Sequence, residues 1–126
     1  GTTALIHASW FGHERVVDRL LQFDDIDVNI EGGVQGGLIS FTALGCASYH
    51  GHLPIVKALL SAKGIDVNDA PVRMDTALTQ AAAHGHLEVV NALLSVDGID
   101  VNKRGYGTPL IVASAKGNID VVELLL

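Results

Sequence analysis

The chain has 126 residues, 48% of them apolar, with eight Lys plus Arg against fourteen Asp plus Glu and a formal charge of −6. That is enough for one domain or one short stack, and too little for two independent globular units. An acidic balance without a basic cluster argues against nucleic acid, whose binders draw much of their affinity from neutralised phosphates.

No apolar run approaches the roughly 20 residues that span a bilayer, which argues against a membrane role. Cys46 is the only cysteine, which excludes an internal disulfide and suits a reducing compartment. Gly1 opens directly onto patterned sequence, with no basic segment or cleavage site of a secretory signal.

From Thr3 the pattern predicts a helix of about two turns. Thr suits an N-cap, because its hydroxyl satisfies a free N–H of the first turn. Leu5 and Ala8 are its apolar positions, and Gly12 ends it, since glycine takes the left-handed conformation cheaply. A second, longer helix opens at Glu14, where the helix dipole favours a carboxylate. Val16, Val17, Leu20 and Leu21 give it one wide apolar face. The extended segment Ile26-Asp27-Val28-Asn29 follows. Next comes the insert Glu31 to Phe41, whose glycines at 32, 33, 36 and 37 predict a mobile finger. Its Leu38, Ile39 and Phe41 are free to order on a partner, with an ordinary flexible loop as the equal alternative.

The pattern then returns three times. Thr42, Leu44, Ala47 and Gly51 repeat the first helix, as do Thr76, Leu78, Ala81 and Gly85, then Thr108, Leu110, Ala113 and Gly117. Pro109 stands at the first helical position, where its missing donor is harmless. Pairs Ile55-Val56 and Leu59-Leu60, Val89-Val90 and Leu93-Leu94, and Val121-Val122 repeat the second helix. Gly64 and Gly98 punctuate its end, and Asn68 and Asn102 close the extended segments. The spacings between the Thr residues are 39, 34 and 32. The implied boundaries are 1–36, 37–70, 71–102 and 103–126. A helix pair this short cannot bury its own apolar face, so neighbours must stack along a continuous core.

The motif Thr-x-Leu-x-x-Ala-x-x-x-Gly-His, then Val-Val-x-x-Leu-Leu, then Asp-Val-Asn, resembles the ankyrin repeat, whose period is about 33 residues. The resemblance covers essentially the whole chain. It implies an all-α ankyrin-repeat solenoid of stacked helix-turn-helix units with projecting β-hairpin-like loops. Only Thr108-Pro109 keeps the family's Thr-Pro; the other copies have Ala4, Ala43 and Ala77. Ile6, Gly45, Thr79 and Ile111 replace its usual His, which weakens the expected bonding between repeats. Neither end carries the polar face of a terminal repeat, so a segment of a longer array or of a larger protein is expected.

The resemblance also implies a concave groove, contacted through the seventh and eighth residues after each Thr and through the loop tips. On the helices these positions are Trp10, Phe11, Tyr49, His50, His84 and Lys116, with Ala83 and Ala115. At the tips they are Phe41, then Arg73, Met74 and Asp75, then Arg104 and Tyr106. Five of the six aromatics thus fall on expected groove positions, and aromatics dominate interface hot spots. Trp10 and Phe11 have a plainer reading as cover for the edge of the first repeat.

No residue set carries catalysis, and no cofactor is expected. His50 with His52, and His84 with His86, suggest a metal. Yet His13, His52 and His86 hold the family's structural Gly-His position, and packed helices stand about 8–10 Å apart. Two nitrogens on one zinc, each about 2 Å from it, must come closer. The glycines of the insert lack the Lys-Ser/Thr of a phosphate loop. Cys46 beside Ala47 reads as a small buried thiol, and Asp24, Asp25 and Asp27 as a solvated loop rather than a calcium site. The tracts Leu21 to Asn29, Leu60 to Asn68 and Leu94 to Asn102 are similar to asparagine hydroxylation sites in other ankyrin proteins. The stronger reading of each Asn is a loop tied down by backbone hydrogen bonds.

The expected function is a non-catalytic module, a monomer, holding a protein or peptide partner. The expected setting is intracellular, in the cytoplasm with the nucleus as alternative. Two other readings are a targeting or regulatory arm of a larger enzyme, and a structural spacer without a groove ligand.

Overall fold

A computed structural model describes residues 3–34, 39–72 and 74–126. Among them eight helices form four hairpins. These are α1 (Ala4–Phe11) with α2 (Glu14–Leu21), α3 (Ala43–His50) with α4 (Leu53–Leu60), α5 (Ala77–Ala83) with α6 (Leu87–Leu94), and α7 (Pro109–Lys116) with α8 (Ile119–Leu125). Each odd-numbered helix packs on the next odd one, and each even-numbered helix on the next even one, giving two helical layers.

The starts and stops follow local chemistry. The hydroxyls of Thr3, Thr42, Thr76 and Thr108 accept from the backbone N–H of Ile6, Gly45, Thr79 and Ile111 at 3.0–3.3 Å. Gly12, Gly51 and Gly117 cap their helices with φ of 77°, 71° and 73°. The expectation of a longer second helix is not met: α2 spans 8 residues, as α1 does. In the middle copies the Ser61 and Ser95 hydroxyls turn back to the carbonyls of Lys57 and Asn91, and the chain then tightens toward Gly64 and Gly98 at positive φ.

The main core runs along the seam between the layers, through Leu5, Leu44 and Leu78 of the odd helices and Val17, Val56, Val90 and Leu93 of the even ones. The middle odd helices touch neighbours on several sides, and Ala43 to Ser48 and Ala77 to Ala82 are buried throughout. Small side chains are what permit that close approach.

The insert forms β1 (Gly32–Gly33) and β2 (Ser40–Phe41), paired antiparallel with Gly32 opposite Phe41 and Gly33 opposite Ser40. Its base is anchored rather than free. Val34 and Phe41, 7% and 4% exposed, join Ile6 and Cys46 in a second small core. Leu38 and the glycines at 36 and 37 lie outside the described residues, while Ile39 is 49% exposed.

Candidate functional site

The side chains at the ends of α1 and α3 meet because successive odd helices lie side by side. Trp10 stacks on Tyr49 with centroids 5.3 Å apart, and meets the edge of His50 at 4.3 Å. Tyr49 in turn lies 4.1 Å from His84 at the end of α5. An aromatic at the seventh position after Thr therefore packs on the imidazole at the eighth position of the following hairpin. Trp10 and Tyr49 rest their inner sides on the second core and are half-buried, leaving the rest of each ring to solvent. Phe11, 54% exposed, and Tyr106, 79% exposed, offer further aromatic surface. His50, His84, Arg104 and Lys116 are exposed.

Three of the expected contact residues are also engaged within the fold. Phe41 is a core residue, because the strand pairing turns its ring inward against Trp10 and Tyr49. Met74 packs against the same cluster. The Asp75 carboxylate accepts the backbone N–H of Tyr106 at 2.8 Å and so ties two loops together. Arg73 lies outside the described residues.

The histidines of the turns hold the stack together. Nε2–H of His52 donates to the Trp10 carbonyl at 3.3 Å, and that of His86 to the Tyr49 carbonyl at 2.9 Å. In the last hairpin the Asn118 amide takes over, donating to Ala82 and Ala83 at 3.0 and 3.4 Å. A second row runs along the opposite ends of the loops. The Asn29 amide donates to the Gly64 carbonyl and its oxygen accepts from Asp66 N–H, both at 2.7 Å. Asn68 repeats this with Gly98 and Asp100 at 2.8 and 2.7 Å. Bonding between hairpins is thus carried by these residues, not by the family's His after Leu.

Desolvation by burial, then the neighbouring His52, His84 and His86, holds His50 below its ordinary value of 6.5. Burial pushes the Cys46 thiol up to about 12, far from a nucleophile's range. Among the described residues no three His, Cys, Asp or Glu side chains converge for a metal ion. Shallow clefts lie between consecutive even helices, such as that lined by Leu53, Lys57, Leu60, Glu88 and Asn91.

Sequence reasoning missed the second core. Its one signal was Val34, an apolar residue set between two glycine pairs.

The family model described as "Ankyrin repeats (3 copies)" matches residues 1–71 and again 68–126. No curated protein matches the chain. No helix among the described residues is long and apolar enough to cross a membrane.

Proposed function

Because the chain belongs to the ankyrin-repeat family, we propose that it is a non-catalytic module that holds a protein or peptide partner against the ends of its odd-numbered helices. Domains of this family are generally protein-interaction modules and typically lack catalysis. The observation that carries the reading here is the row Trp10, Tyr49, His50 and His84, ring against ring across three hairpins. Partly exposed aromatics held rigid by their neighbours lose little entropy on binding, which suits them as anchors. Phe11 flanks this row at one end, while Arg104 and Tyr106 lie in the loop before α7 and Lys116 at the end of α7.

The test is capture from a lysate of the source cells by the wild-type chain and by the Trp10→Ala/Tyr49→Ala double variant. Circular dichroism and a thermal melt establish that the variant is folded. Tyr106→Ala, at a site 79% exposed, gives a second probe that leaves the core untouched. The reading expects partners retained by the wild type and lost from the double variant. An unchanged set of partners across all three proteins refutes it.

A further inference from the structure

Charge is not spread evenly over the two helical layers. The chain holds fourteen Asp plus Glu: five on the even-numbered helices, nine in the connecting segments and none on the odd-numbered helices. The net charge of −6 therefore belongs to the even helices and the loops, not to the layer whose ends carry the aromatic row. At the eighth position after each Thr that layer presents Phe11, His50, His84 and Lys116, and Arg104 stands exposed in the loop before α7. The Asp75 carboxylate, in the loop before α5, is engaged by the Tyr106 N–H.

The imidazoles here divide into two kinds. His52 and His86 are committed to the stack through Nε2. His84 is committed at its other nitrogen: Nδ1–H donates to the Gln80 carbonyl at 2.9 Å. Its Nε2 is therefore an acceptor while the ring is neutral and becomes a donor only when a proton is added. His84 faces Tyr49 of α3 and, across its own turn, His86. His50 faces Trp10 of α1 and Tyr49 of its own helix, with centroids 4.3 and 4.8 Å away. The charges that reach it are those of His52 across its turn and of His84 and His86 on the next hairpin, and none of them is a carboxylate. Desolvation and then these like charges oppose a proton on His50 in the free chain. A carboxylate brought against the ring reverses that balance.

We propose that the partner held by this row is an acidic peptide segment, and that the hold tightens in mild acid. An apolar side chain of the segment rests on Trp10 and Tyr49, and its carboxylates meet His50, His84 and Lys116. The inference rests on the reading of the row as the partner surface and adds the partner's charge to it. Charge complementarity argues for this occupant, since the odd helices offer aromatic area and cations with no carboxylate among them. The net charge of the whole chain points the other way, to a basic partner. Segregation decides between the two, because exposed charges act chiefly within about 8 Å at physiological ionic strength. A carboxylate on Nε2 of His84 binds with uptake of a proton, so by linkage its affinity rises as the pH falls. Imidazoles change charge between about pH 5 and 8, while peptide carboxylates stay ionised down to about pH 5.

Selection of short random peptides displayed on phage against the immobilised chain, at about pH 6 and about pH 7.5, tests it. Circular dichroism establishes that each protein is folded at both values. Peptides enriched by the wild type and not by Trp10→Ala/Tyr49→Ala are expected to carry several Asp or Glu beside an apolar residue. The strongest of them, made synthetically, should bind at least about threefold tighter at the lower pH. His50→Gln/His84→Gln should lose that gain, and so should the same peptide with its carboxylates changed to amides. The amide peptide is measured on the wild-type chain, so the test stands even where a variant fails to fold. Enriched peptides that are basic or uncharged overturn the inference while leaving the row as a partner surface. So does an affinity indifferent to pH, or a gain in acid that survives either change. The absence of any peptide that depends on Trp10 and Tyr49 overturns the row itself, and this inference with it.

Discussion

The His86 imidazole stands over Gly51: its Nε2 lies 2.9 Å from the Tyr49 carbonyl, and a Cβ on Gly51 would fall 2.6 Å from its Nδ1. Glycine is required twice there, by a φ of 71° and by the ring above it. Gly51→Ala is expected to lose about 3 kcal/mol. Roughly 1–2 kcal/mol of that is the left-handed backbone, and the remainder the displaced imidazole and its bond. Gly117→Ala, with φ of 73° and open space above it among the described residues, should lose only the backbone part. Urea denaturation compares the two, and equal losses would contradict the role given to His86.

The asparagine row makes a similar contrast. Asn68 joins two hairpins through Gly98 and Asp100, so Asn68→Ala should cost about 1–2 kcal/mol. The Asn102 side chain makes no hydrogen bond among the described residues, and Asn102→Ala should stay within about 0.5 kcal/mol of wild type. Chemical denaturation of dilute samples measures both. A large loss at Asn102, equal to that at Asn68, would contradict the role given to the clamp.

Phe41 and Tyr106 both sit at loop tips in the sequence, yet only one belongs to the core. Phe41→Ala removes a ring 4% exposed and should destabilise by about 3–4 kcal/mol. Tyr106→Ala should be neutral to within about 0.5 kcal/mol, since its ring is 79% exposed. Thermal melts distinguish them at once, and a stable Phe41→Ala protein would place that ring outside the core.

Acid should weaken the fold through His50. Its folded value is held down by desolvation and by three neighbouring imidazoles, while the unfolded chain takes up its proton near 6.5. Stability is therefore full above about pH 6.5 and declines as the pH falls from there through the folded value. His50→Gln removes this titration. Between about pH 7.5 and about pH 5.5 its urea midpoint should fall less than that of the wild type. Parallel midpoints in the two proteins would assign the acid sensitivity elsewhere.

The repeat, its caps and its turns were legible because each depends on a few adjacent residues. Thr3, Thr42, Thr76 and Thr108 announce helix starts through their own hydroxyls, and Gly12 and Gly51 announce stops through their freedom at positive φ. The aromatic row was partly legible, since Trp10 and Tyr49 share a position in the period. Phe41 was misplaced because it looks like a loop residue until Val34, Ile6 and Cys46 are brought beneath it. The length of the second helix was misread because its apolar spacing runs on past the residue where Ser61 or Ser95 turns the chain.

What the sequence settles alone is the unit and its repetition. Helix capping, left-handed glycines and an apolar face of helical period act over one to ten residues, so the amino-acid order states them directly. Only the tertiary structure decides which side chains stay available after stacking. His52 reaches Trp10 and Asn68 reaches Gly98 across thirty or more residues of chain. Asp75 looks free in the sequence and is engaged by Tyr106 in the fold. Those outcomes rest on distances between hairpins, which arise only when one apolar face has met the next.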